Sequence, residues 1–122
     1  MDRTRFEALV AEALDEIPEP FQAYVARVAV VIEDEPSAAL LRELDMDPRR
    51  DALFGLYEGT PVGERLLDET ALLPDRITIY YRPLVRAFRT PGAIRREIRK
   101  TVIHELGHCF GLEDDAIESE GY

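Results

Sequence analysis

The chain has a single cysteine, Cys109, in 122 residues. An internal disulfide is therefore excluded, and a reducing compartment is the natural setting. No run of about 18 apolar residues occurs, which excludes a membrane-spanning helix on hydropathy. The start, Met1-Asp2-Arg3-Thr4-Arg5-Phe6, lacks the apolar stretch of a signal peptide, so the cytoplasm is the expected location. Positive charge is in deficit: the formal net charge is −10, which argues against a broad nucleic-acid surface. Internal repeats and low-complexity linkers are absent. A length of 122 residues with 46% hydrophobic content predicts one globular domain over 1–122.

What charge there is lies unevenly. Arg76 to Lys100 holds eight basic residues against one acidic, Glu97, and Thr101 to Tyr122 holds six acidic residues and no basic one. Two readings follow: a basic helix surface paired with acidic neighbours, or an electrostatic filter beside a cleft. Fourteen of the fifteen basic residues are arginine.

Histidine is almost as scarce as cysteine, and the only two fall in His104-Glu105-Leu106-Gly107-His108. Residues four apart stack on one face of a helix, so both imidazoles can grip one metal ion. The glutamate beside the first histidine can take a proton from a water on that ion. The pattern predicts a zinc hydrolase site, with Zn2+ as cofactor and Glu105 as general base. Downstream, Cys109-Phe110-Gly111-Leu112-Glu113-Asp114 extends it to H-E-x-x-H-x-x-G-x-x-D, the spacing of the metzincin signature with aspartate in place of the commoner histidine. Gly111 suits a left-handed helix stop, and such a turn can bring Asp114 back as a hard third ligand beside His104 and His108. Glu113, Asp115 and Glu118 are the alternatives.

Apolar residues Phe6, Leu9, Val10, Ala13, Leu14 and Ile17 recur at helical spacing, with Asp2 as a cap and Pro18 and Pro20 as stops. Val28 to Ile32 reads as a buried strand. Ser37 caps a short helix, 38–44. Leu53 to Tyr57 and Arg76 to Tyr81 read as two further strands. Between them, Gly59 to Gly63 reads as a turn and Glu64 to Asp75 as irregular or briefly helical. Pro83 is expected to open a short helix to about Phe88. Thr90 caps a long helix that has Pro91 at its first position and runs to Phe110, and a last short helix is expected over 114–118. At about 100° per residue, Val102, Ile103, Leu106 and Phe110 share one arc of the long helix. His104 and His108 lie on another, with Glu97 and Thr101 as possible hydrogen-bond partners of the histidines. Cys109 is displaced from the histidine face and is expected to be a packed thiol.

Beyond the motif, the stretches Leu53-Phe54-Gly55-Leu56-Tyr57-Glu58-Gly59-Thr60-Pro61 and Leu73-Pro74-Asp75-Arg76-Ile77-Thr78-Ile79-Tyr80 bring a family into view. The chain resembles the short bacterial zinc metallopeptidase-like proteins called minimal zincins, strongly in its second half and weakly in its first. The resemblance implies a compact α+β zincin-like fold: a small mixed sheet packed on an N-terminal helix and a motif-bearing active-site helix. It also places His104, His108 and Asp114 at the metal-ligand positions and Glu105 at the catalytic one. The chain departs from larger metzincins in having no methionine turn after Asp114; Met46 lies far upstream.

The activity these residues predict is hydrolysis of a peptide bond in a peptide or protein substrate. An added strand could dock on the edge of either 53–57 or 76–81. Tyr57, Tyr80, Tyr81 and Tyr122 are candidates to stabilise an oxyanion. No nucleic-acid or membrane partner is expected, and a monomer is plausible. The rival reading is a non-catalytic metal-binding or protein-interaction module on the same fold, against which the retained Glu105 argues, because a structural metal needs no base.

Overall fold

The computed structural model describes residues 1–59 and 76–109, the last without its side chain. Helix α1 spans Arg3–Asp15, and the Asp2 carboxylate accepts from the Arg5 N–H as its cap. Phe6, Leu9, Val10 and Ala13 form its buried stripe. The Gln22 side chain donates to the Leu14 and Ile17 carbonyls, which closes the C-terminal end of α1 against the next helix. That helix, α2 (Phe21–Val25), was not expected from the sequence. Its five residues are too few to show a helical period.

Among the described residues three strands follow: β1 (Ala29–Glu33), β2 (Gly55–Glu58) and β3 (Arg76–Tyr80). The sheet order is β1-β3-β2, with β1 parallel and β2 antiparallel to β3. β3 is therefore the centre, and Ile77, Thr78, Ile79 and Tyr80 are all buried. β1 corrects an expectation. Its apolar run suggested a buried strand, but it has exposed ends and half-buried middle residues, and among the described residues only β3 flanks it. β2 begins two residues later than expected, since Leu53 and Phe54 lead into the ladder rather than joining it; the Phe54 carbonyl accepts from the Tyr80 N–H.

The short helix α3 spans Ala38–Glu43 under a Ser37 cap, as its sequence predicts. Helix α4 (Tyr81–Ala87) starts directly after β3. Pro83 lies in its first turn rather than opening it, a position where the missing N–H costs no helical bond. Helix α5 spans Pro91–Cys109, and the Thr90 hydroxyl accepts from the Ala93 N–H at its start. Ile94, Ile98, Val102, Ile103 and Leu106 of α5 join the α1 stripe, Ile77 and Ile79 in one core. A small mixed sheet packed against α1 and α5 makes this a compact α+β, zincin-like arrangement. Among the described residues no helix is long and apolar enough to cross a membrane.

Candidate active site

The core fixes how α5 is rotated. Ile98, Val102 and Leu106 are at most 1% exposed, so the opposite side of the helix is turned to β2. His104 and Glu105 are half-buried there, and His108 is exposed. Together with Glu97, Lys100 and Thr101 they line a cleft of about 240 Å³ whose other wall is Leu53, Phe54 and Gly55. The two histidines thus share one cleft, as the four-residue spacing requires.

Two contacts bring β2 close to the motif. The first is steric. A Cβ on Gly55 would lie 2.7 Å from the Thr101 Cγ2, 3.1 Å from the Thr78 carbonyl oxygen and 3.3 Å from the Ile79 Cδ1. Only glycine lets the strand approach the helix this closely. The second is polar. The Tyr57 N–H donates to the Glu105 Oε2 at 3.3 Å. Leu56 and Glu58 pair with Thr78 and Arg76 in register, and Phe54 bonds Tyr80, so Gly55 and Tyr57 turn their backbone polar groups outward. Glu105 therefore meets the outer edge of β2.

The sequence places Gly55 within the expected strand 53–57 and a family-like stretch, with no role of its own. The available signal was an isolated glycine between β-forming residues, which marks a close backbone approach. Among the described residues β3 is the central strand, and β2 is an edge beside the motif.

The tyrosines separate. Tyr57 reaches the site through its backbone, and its ring packs against the core. Tyr80 is buried at the end of β3, away from the cleft lining; burial, then the charges of Glu33 and Glu58, raise its hydroxyl pKa, while Arg76 lowers it. Tyr81 stacks edge-on against Phe6 at 5.0 Å and donates its hydroxyl to the Met1 carbonyl. Tyr122, Asp114, the turn at Gly111 and the 114–118 helix lie outside the described residues, as do the Cys109 side chain and Glu64 to Asp75.

The donor set fits a zinc ion as far as it is described. Two imidazoles one helical turn apart offer two nitrogen donors, and a carboxylate stands beside them. Among the described residues no group of three metal-donor side chains converges.

A family model for zincin-like metallopeptidases matches residues 25–122. The chain belongs to the zincin-like metallopeptidase family. No curated protein matches it. The family match includes all three strands and α5, while α1 precedes it. In this zincin-like chain α1 nevertheless supports the motif helix directly: Arg95 pairs with Glu12 at 3.6 Å and Glu16 at 3.2 Å, and Arg99 with Glu16 at 3.2 Å.

Proposed function

We propose that the chain is a zinc-dependent peptidase in which His104, His108 and Asp114 hold the metal and Glu105 is the general base. The observation that carries this reading is the position of Glu105, between the histidine face of α5 and the outer edge of β2. Bound zinc supplies a Lewis acid that acidifies water and polarises a carbonyl. A peptide lying along β2 as an added strand takes its alignment from the outward backbone groups of Gly55. Its backbone then passes Glu105, whose carboxylate accepts the proton of the attacking water and returns it to the leaving amine. The Tyr57 N–H holds that carboxylate at the strand edge.

The test is zinc stoichiometry and peptide turnover measured on the same preparations. About one zinc per chain is expected. His104→Ala, His108→Ala and Asp114→Ala should lower zinc content, whereas Glu113→Ala and Asp115→Ala should not. Glu105→Gln should keep the metal and lose turnover. Zinc binding with no turnover across broad peptide libraries would favour the non-catalytic binding module instead.

A further inference from the structure

The eight basic residues from Arg76 to Lys100 are not alike. Arg76, Arg82, Arg86, Arg95 and Arg99 each lie within 4.0 Å of a carboxylate. Arg89, Arg96 and Lys100 make no ion pair among the described residues. Two of these three, Arg96 and Lys100, lie on the motif helix eight and four residues before His104. Arg96, Lys100, His104 and His108 therefore form one stripe along α5, a residue per turn.

Lys100 and Glu97 line both the cleft at the motif and a second cleft of about 520 Å³, which adds Arg96, Arg99, Ile103, Glu16 and Pro18. The two clefts thus adjoin, with Glu97 and Lys100 in both walls. In the second, the charges of Arg99 and Glu16 offset each other at 3.2 Å. Arg96 and Lys100 then stand against the single carboxylate of Glu97, which has no ion pair among the described residues. This extension is locally cationic in a chain of net charge −10. Lys100 is also the chain's only lysine.

The direction of the groove follows from β2. Gly55 lies against Thr101 and Tyr57 against Glu105, so β2 and α5 run the same way. A strand added antiparallel to β2, the more stable ladder, runs the other way, from Glu105 toward Lys100. Lys100 lies about 7.5 Å along the helix axis from Glu105, or roughly two residues of extended peptide.

We infer that Lys100, with Arg96 beyond it, forms a carboxylate-reading subsite. It selects peptides bearing Asp or Glu two or three residues C-terminal to the bond held at Glu105. The inference rests on the peptidase reading for the position of that bond, but the subsite has its own readout.

The test uses full-length Glu105→Gln protein loaded with zinc and three labelled peptide series. The peptides differ only in carrying Glu, Gln or Lys at the position two or three residues beyond the central bond. Fluorescence anisotropy should rank them Glu, Gln, Lys, with about a fivefold gap between the extremes at low salt that closes as salt is added. Lys100→Glu should reverse the order, Lys100→Met should flatten it, and Arg89→Glu should leave it unchanged. Reductive 13C-methylation gives a single lysine side-chain signal, which should shift with the Glu peptide and stay with the Lys peptide. Equal affinities for all three peptides, an order that survives Lys100→Glu, or no binding at all would overturn the subsite. An acidic preference in binding without cleavage by the wild-type protein would support the subsite and overturn the peptidase reading. Cleavage without charge preference would do the reverse.

Discussion

The two flanks of α5 are held by different physics. Toward α1 the contact is broad and apolar: Phe6, Leu9, Val10 and Ala13 bury against Ile94, Ile98 and Val102, with Arg95 and Arg99 pairing at the rim. Toward β2 the described contacts include the close approach of Gly55 to Thr101 and a directional hydrogen bond, Tyr57 N–H to Glu105. Apolar area is non-directional and shared among many atoms, so no single rim charge matters much on the α1 flank. On the β2 flank each group has a defined position, and displacement changes the chemistry before it changes the fold. Stability and function are therefore expected to respond to different residues of the same helix.

That division can be broken most sharply at Glu105. Glu105→Gln should lower turnover about 10³-fold while denaturant midpoints barely move. Near wild-type turnover would remove Glu105 as the base and with it the functional weight of the β2 flank. On the other flank, Ile98→Ala should cost about 3 kcal/mol in urea unfolding, because the side chain is fully buried beside α1. Turnover per folded molecule should hold. A loss under about 1 kcal/mol would mean that the helix is not anchored there.

Gly55→Ala probes the narrow contact itself. The new methyl group would meet the Thr101 Cγ2 at 2.7 Å, so β2 has to retreat. An overpacking cost of about 1–2 kcal/mol is expected, with a tenfold or larger fall in turnover from displacement near the base. Adding Thr101→Ser removes that Cγ2 and should recover part of both losses. No recovery would show that the Thr78 carbonyl or Ile79, at 3.1 and 3.3 Å, sets the limit instead.

The smallest effect is expected at the α1 rim. Glu16→Gln removes the partner of both Arg95 and Arg99 but should cost under about 1 kcal/mol, since these side chains are more than a third exposed. The difference should fade in about 1 M salt. A larger, salt-insensitive loss would mean that the rim charges are structural.

The local elements were legible in the sequence for local reasons. Asp2, Ser37 and Thr90 read as caps and act as caps, because a cap needs only backbone N–H groups two or three residues away. The apolar period of α5 set its buried arc and, by subtraction, put His104 and His108 on the cleft side. The basic run was legible as charge, but pairing divided it: five residues went to nearby carboxylates, and Arg96 and Lys100 to the cleft walls.

By itself, then, the sequence determined the helix caps, the two faces of α5 and the grouping of its histidines. Each follows from a period or spacing within a few turns of one helix. Only the tertiary structure decided that, among the described residues, β3 is central, β1 and β2 are edges, and Gly55 and Tyr57 meet the motif helix. Tyr57 and Glu105 are 48 positions apart, and nothing in the local pattern of either segment encodes their meeting. It is set by how burying the apolar faces of α1, α5 and β3 in one core leaves the edge of β2 against the far side of the motif helix.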